Sequence, residues 1–539
     1  MQLAPWLRGY RRAWLVPDVL AGLIVWTVVV PQAVAYAQIA GLPPSAGLAA
    51  APGALLAYAL LGTSRSLVVS ATTATSALSA AAVGPLADGD VARFAALSAA
   101  LAVVAAIVLI LAGLVHAGKV MDFVPTTVMT GFLFGLGLVV SLGQLPKIFG
   151  VEEGSGDFFE QLRDLVEELD DTHTWTLVVG AASVVGLVAL GRLAPKLPGT
   201  LIVLVGAIVA SAALDLAAEG VDVVGKLPDA APDFAIPDVS WGDLADLLPA
   251  ALGVMIVSAE AAAVSRSIAS SQGYEVDVNR DIVALGGSNL LAGFSSGFVQ
   301  SGGASQTLAA ERAGGRTQLV SLVAAALILL TGLFLAPLFE DLPQATLAAI
   351  VIVAIANFFR VRELGRFAHL RRTAIVLALV ALFGVLLFGV LPGLLLAVAL
   401  SLFELLQRLS TPQVAKLVRD PATGAWGNRE RHPGWASPPR GVLVVGVEGP
   451  LFYANSAAVK NRVLELAAEH EATTVVLDLA RNDELDVQAL DMLGELVGEL
   501  APHGVELRLA AVRARVLELL RRSGLAARVC IESSIDAAI

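Results

Sequence analysis

Charge is what this chain has least of for its size. Only 15% of its 539 residues are Asp, Glu, Lys or Arg, against about 25% in an ordinary soluble domain. With 57% hydrophobic residues and a mean hydropathy of +0.78, most of the chain must be solvated by lipid rather than water. That excludes a cytosolic enzyme and a disordered chain. Cysteine is nearly absent. The one present, Cys530, has no partner for an internal disulfide, which excludes a disulfide scaffold. The six histidines are scattered, and no Cys/His spacing suggests zinc, so no metal and no cofactor are expected. Positive charge is also short. The net charge of −12 makes nucleic acid an unexpected partner.

What the chain has is apolar length. Runs long enough to span or nearly span a bilayer recur near 18–38, 44–61, 67–86, 94–115, 124–145, 174–190, 200–216, 247–264, 281–294, 297–311, 318–338, 344–359, 373–391 and 393–409. Arg8, Arg11 and Arg12 precede the first run, and Ala35-Tyr36-Ala37 imitates a signal-peptidase site. The run is too long for a signal peptide, holds Pro31 and is followed by many more, so no cleavage is expected. Trp6, Tyr10 and Trp14 recur every four residues beside those arginines, as in a helix lying among headgroups.

Fourteen spans put both termini on one side. Arg65, Lys119, Arg192, Lys196, Arg280, Arg312 and Arg316 fall in loops on that side, with Arg360, Arg362, Arg366, Arg371 and Arg372 after the twelfth span. The opposite loops are acidic, with Glu152, Glu153, Asp157, Glu160, Asp164, Glu167, Glu168, Asp170 and Asp171 in one and Asp229, Asp233, Asp238 and Asp243 in another. The positive-inside rule therefore predicts cytoplasmic termini and a multi-pass protein of the cell membrane. Residues 1–17 read as an interfacial segment, 18–410 as the membrane domain and the proline-rich 411–440 as a linker. Residues 441–539 read as a small domain, with strands near 441–447, 473–479 and 505–511 alternating with helices near 454–470, 486–500 and 512–523.

Two segments at membrane depth are poor helices. Gly62-Thr-Ser-Arg-Ser-Leu-Val-Val-Ser-Ala-Thr-Thr-Ala-Thr-Ser76 lies in the third span and Gly293-Phe-Ser-Ser-Gly-Phe-Val-Gln-Ser-Gly-Gly-Ala-Ser-Gln-Thr307 in the tenth. A separation of seven spans is what a seven-plus-seven inverted repeat gives, with broken helices at matching positions and half-helix N-termini meeting near the midplane. Their free N–H groups and positive dipole ends form an anion site, and Thr72, Thr73, Ser305 and Thr307 can add hydroxyl donors. The competing explanation is close packing of small residues; pairing at corresponding positions favours a site. Glu260, in an apolar run near the end of the eighth span, is costly there and reads as a proton acceptor, cation ligand or gate partner, or else as the ion-pair partner of Arg266. Gln32 and Tyr36 share a face of the first span beside Pro31, which frees a carbonyl. Gly293-Phe-Ser-Ser-Gly297 fits a nucleophile-elbow pattern only literally. Gly314-Gly-Arg-Thr317 lacks the lysine and spacing of a phosphate loop. Gly131 and Gly135 fit a small-xxx-small pattern, read as internal packing rather than dimerisation.

Together these segments resemble the SulP anion permeases, also called the solute carrier 26 family. The likeness rests on Asp18-Val-Leu-Ala-Gly22 with Val30-Pro-Gln-Ala-Val-Ala-Tyr-Ala37 and Ala40-Gly-Leu-Pro-Pro44, on Gly62-Thr-Ser-Arg65, and on Gly314-Gly-Arg-Thr-Gln318 with Leu342-Pro-Gln-Ala345. The terminal domain looks like a STAS domain, through Gly449-Pro-Leu-Phe-Tyr-Ala-Asn455. The resemblance implies an α-helical polytopic membrane protein of about 14 spans, with core and gate domains, followed by an α/β STAS domain. It also implies secondary active transport of a small anion (sulfate, bicarbonate, chloride or a dicarboxylate) by an elevator-type mechanism, in a homodimer, and no enzymatic activity. Gln32, Tyr36, Thr72, Thr73, Ser305 and Gln306 match substrate-site positions. Glu260 matches a carboxylate linked to H+ or Na+ coupling. Gln306 is a departure, since many members carry a basic residue there. A second departure is Asp486-Val487-Gln488, which lacks the hydroxyl that phosphorylated antagonists carry. The rival readings are a channel-like anion uniporter, a nucleobase permease of the same fold and a membrane-tethered STAS signalling module.

Overall fold

A computed structural model describes residues 3–118, 125–154, 156–194, 197–226, 232–410 and 413–539. Lys119, Lys196 and Asp229, counted above for orientation, lie outside the described residues. The chain divides into two compact units, Met1–Ser401 and Leu402–Ile539.

The first unit is helical because its sequence is a series of Leu, Val and Ala runs whose backbone must be satisfied within each segment in lipid. Its elements in order are α1 (Leu15–Ile39), α2 (Pro44–Leu61), β1 (Val69–Ser70), α3 (Thr73–Ala87), α4 (Val91–Leu114), α5 (Thr126–Phe149), α6 (Phe158–Glu168), α7 (Thr174–Leu193), α8 (Gly199–Leu214), α9 (Trp241–Asp246), α10 (Leu248–Val257), α11 (Ala259–Gln272), α12 (Val278–Phe294), β2 (Ser301–Gly302), α13 (Ala304–Arg312), α14 (Leu319–Leu330), α15 (Gln344–Ile355), α16 (Val361–Leu370), α17 (Arg372–Phe388) and α18 (Val390–Ser410). Among the described residues nine helices are long and apolar enough to cross a bilayer. The remaining expected spans correspond to the shorter α3, α8, α12, α13 and α17. Each of the fourteen apolar runs thus has its helix, and in the third and the tenth that helix is preceded by a two-residue strand.

Close packing explains the small residues on α5. A Cβ at Gly131 would sit 2.0 Å from the Ala378 carbonyl oxygen, and one at Gly135 2.8 Å from that of Leu382. The pattern therefore seats α5 on α17 of the same chain. The N-terminal aromatic set differs from the expected interfacial helix. Residues 5–7 and 12–14 form separate 3-10 turns. Trp6 is buried, its indole N–H donating to the Ala59 carbonyl at 2.7 Å. Pro5 and Gly9 interrupt the helical period, while the rings of Trp6, Tyr10 and Trp14 still stack edge-to-face at 6.1 and 6.0 Å.

The second unit contains β3 (Gln413–Arg419), β4 (Trp426–Asn428), β5 (Val442–Glu448), α19 (Ser456–Glu469), β6 (Thr474–Asp478), α20 (Val487–Leu500), β7 (Glu506–Ala510), α21 (Ala514–Arg522), β8 (Cys530–Glu532) and α22 (Ile535–Ala538). The sheet order is β4-β3-β5-β6-β7-β8, with β5 to β8 parallel and β3 antiparallel to β5. The valine and leucine runs of β5, β6 and β7 are buried on both faces, as a parallel sheet covered by helices requires. Residues 413–428, read above as linker, form the antiparallel edge instead. Their prolines flank rather than interrupt the strands, so the ladder is not broken. Asp486 caps α20 by accepting from Ala489 N at 2.8 Å and also accepts from Tyr453 N at 2.7 Å. It thus ties the Gly449–Asn455 segment to that helix.

Candidate functional site

The two Gly/Ser/Thr breaks come together as one structure. β1 and β2 pair antiparallel, Val69 opposite Gly302 and Ser70 opposite Ser301. Each two-residue strand leads directly into a short helix, so the N-termini of α3 and α13 are brought to the same place. The strand pair approaches α11 closely: a Cβ at Gly302 would lie 2.7 Å from that of Ala261. The eighth span breaks beside it, where Ser258 lies between α10 and α11 and its hydroxyl is 3.5 Å from that of Ser301.

The two helix ends are finished differently. Thr72 caps α3, its hydroxyl accepting from Thr75 N at 3.3 Å, with Thr75 returning the bond to Thr72 N. No side chain caps α13. Its first N–H groups and the positive end of its dipole therefore remain available to an anion.

Side-chain bonds from the surrounding helices fix this backbone. Thr307, buried, donates to the Gly303 carbonyl at 2.6 Å and accepts from Val68 N at 3.0 Å. Asn289 accepts from Gln300 N and donates to the Gln300 carbonyl, both at 2.9 Å. Gln318 donates to the carbonyls of Ser64 and Leu67 at 2.9 and 2.8 Å. Two buried carboxylates hold the loops of the matching motifs. Asp281 accepts from Thr63 N at 2.6 Å and from its hydroxyl at 2.7 Å. Asp18 accepts from Arg316 N at 2.6 Å and from the Thr317 hydroxyl at 2.6 Å.

A cavity of about 110 Å3 opens at the two helix N-termini. Its wall includes Tyr36, Thr72, Thr73, Glu260, Ser301, Ser305, Gln306 and Arg360. That volume suits a small anion with a few waters, well below the ~300–1,000 Å3 of a drug-sized site. A second cavity of about 490 Å3 shares Glu260, Ala304 and Arg360 with it and extends along α5 and α11 to Arg266. The walls are rich in hydroxyls and carry charges of both signs.

Of the residues expected at a site, Tyr36, Thr72, Thr73, Ser305, Gln306 and Glu260 meet at this cavity. Gln32 does not. It lies one turn earlier on α1, 8% exposed, with its amide oxygen buried and unpartnered among the described residues. Thr307 does not either, because its hydroxyl is committed to the backbone of the two breaks. Gln306 is 1% exposed and within reach of the Ser305 hydroxyl at 3.2 Å. The residue that sequence reasoning missed is Arg360. Counted with the arginines of a loop, it stands where α15 ends in a 3-10 turn and α16 has not begun. Phe359 anchors the junction edge-on to Phe134 of α5 at 5.1 Å. Asn357, a polar residue at the end of the apolar run, was the available signal.

A family model described as the sulfate permease family matches residues 15–381. This chain belongs to the sulfate permease family. It is accordingly a multi-pass membrane transporter of anions and not an enzyme. A STAS-domain model matches residues 437–538. A probable sulfate transporter of Mycobacterium tuberculosis is 35% identical over 521 residues, covering 96% of this chain and 93% of the relative. Among solved structures, the murine solute carrier 26 family member A9 anion transporter in the inward-facing state superposes with a TM-score of 0.89 at 24% identity. That match covers 99% of this chain and 92% of the other. The transmembrane domain of a cyanobacterial bicarbonate transporter gives a TM-score of 0.63 at 22% identity, covering 73% and 98%. These two likenesses are of fold. They extend to both units of this chain in the first case and to the membrane part in the second.

Proposed function

We propose that this member of the sulfate permease family is a secondary active transporter that binds a small anion in the cavity at the N-termini of α3 and α13, with sulfate the first candidate substrate. The observation that carries this reading is the antiparallel pairing of β1 with β2, which aims two half-helices at one small polar cavity. Helix dipoles and unpaired N–H groups attract an anion without a full charge of their own. Tyr36, Thr72, Thr73 and Ser305 offer hydroxyl donors, and Gln306 an amide. The name of the M. tuberculosis relative supports sulfate; bicarbonate, chloride and dicarboxylates share the chemistry the cavity recognises.

Glu260 is the coupling residue in this reading. A carboxylate on the wall of an anion cavity repels the substrate until it takes up H+ or binds Na+, so anion and cation enter together. The half-helices move as an elevator, carrying the site past the helices that face it. The transporter works as a homodimer in the cell membrane with both termini in the cytoplasm, and the STAS domain regulates or stabilises it. The test is thermal stabilisation of the purified full-length chain across sulfate, bicarbonate, chloride, fumarate and succinate. A ligand that binds only the folded state raises the apparent melting temperature, with a shift that grows with concentration. Stabilisation by at least one anion, lost in Ser305→Ala, supports the site. Stabilisation by uracil and by none of the anions overturns it.

A further inference from the structure

Position 306 lacks a cation, yet the cavity does not. Among the described residues on its wall, Arg360 is the one basic side chain. We propose that Arg360 is the counter-ion of the bound anion, supplying from the α15–α16 junction the positive charge that Gln306 does not provide. The inference rests on the reading of this cavity as the anion site.

Three observations lead to it. Arg360 lines both cavities, the small one at the helix ends and the larger one that continues from it. An anion following that route therefore passes the guanidinium. Next, the side chain is uncommitted. Among the described residues it makes no ion pair or side-chain hydrogen bond, although the field of Glu260 on the same wall reaches it. Five fixed N–H donors thus remain for an oxyanion, which a guanidinium can hold in a bidentate fork. Finally, its backbone is placed rather than loose. Arg360 N donates to the Phe358 carbonyl at 2.8 Å, and Phe359 packs on Phe134.

The location gives this charge a property that an arginine at 306 would not have. Residue 306 belongs to α13, so its side chain stays with the half-helix dipoles. Arg360 belongs to the stretch that follows α15, a helix packed on α5 and α7. Dipoles and hydroxyls come from one set of elements and the counter-charge from another. An anion in the cavity bridges the two sets. Any displacement of α13 relative to α15 pulls substrate and counter-ion apart, which favours release.

The experiment is a sulfate titration of the purified full-length chain, comparing wild type, Arg360→Gln, Arg360→Lys, and Arg360→Gln combined with Gln306→Arg. Ligand-free melting temperatures serve as the folding control. Removing one charge-assisted contact is expected to weaken sulfate binding about 10- to 100-fold in Arg360→Gln. Arg360→Lys keeps the charge but not the fork and is expected to fall between wild type and Arg360→Gln, and the double variant to recover at least about tenfold. Wild-type affinity in a folded Arg360→Gln overturns the counter-ion role while leaving the anion site intact. Absence of sulfate, bicarbonate, chloride or dicarboxylate binding in the wild type overturns the site itself and this role with it.

Discussion

Glu260 and Arg360 stand on the walls of the same two cavities without being closed into an ion pair. On the proposed reading these opposite charges, open toward a shared space, serve different ions, the arginine an anion and the carboxylate a proton or cation. The first prediction follows from that separation. Glu260→Gln removes the group that responds to the gradient but not the anion contacts. Concentrative uptake should fall to equilibrium exchange, with anion binding retained and no longer dependent on H+ or Na+, since the variant loses the repelling charge but no donor to the anion. Gradient-driven accumulation unchanged in this variant contradicts the coupling role.

Ser305 and Thr307, two residues apart, should behave differently. Ser305 is exposed on the cavity wall, whereas Thr307 is buried and bonded to the backbone at Val68 and Gly303. Ser305→Ala should weaken anion binding and leave ligand-free stability near wild type. Thr307→Val leaves the Val68 N–H without a partner, which costs about 1–3 kcal/mol. Melting of the ligand-free variants, beside anion titration, checks the contrast, and Thr307→Ser should restore stability.

Gly131→Ala should be strongly destabilising. The added methyl would sit 2.0 Å from a backbone oxygen of α17, and a carbonyl cannot swing aside as a side-chain end can. Overpacking of this kind costs about 1–3 kcal/mol. The apparent melting temperature and the yield of folded protein in detergent should both drop, more than for Gly143→Ala, where the new Cβ meets open space.

Cys530 offers a check on the terminal domain. Burial pushes its thiol above the ordinary range, and the neighbouring Glu532 carboxylate raises it further. A raised thiol pKa means less thiolate at neutral pH, so alkylation should be slow there and accelerate as the pH climbs past the usual thiol range. Glu532→Gln should speed maleimide labelling at pH 7.5. An unchanged rate would remove the carboxylate from the explanation.

The membrane architecture was legible in the sequence because lipid imposes a strong rule: a segment that satisfies its backbone internally must be helical and about as long as the bilayer is thick. The third and tenth breaks were legible for the same reason, since Gly and β-branched residues at membrane depth are exceptions to that rule. The three strands at 442–448, 474–478 and 506–510 were clear from their valine and leucine runs. Position in space was harder to read. Nothing in the spacing of Thr307 separates a hydroxyl facing a ligand from one facing Val68 N. Gln32 shares a helix face with Tyr36, yet one turn along α1 is enough to miss the cavity. Arg360 was hidden by its company, four further arginines that with it set topology by their number, while only the end of α15 decides where this one points. Strands β3 and β4 were masked by the prolines and polar residues around them, because an edge strand carries a weaker apolar signal than a central one.

The most direct test is uptake of radiolabelled sulfate into proteoliposomes containing the full-length chain, with and without an inward proton or sodium gradient. The account predicts accumulation above equilibrium under one of the gradients, competition by unlabelled sulfate and collapse on adding the matching ionophore. Absence of uptake of sulfate, bicarbonate, chloride and dicarboxylates under every gradient, from protein shown to be folded, would contradict it.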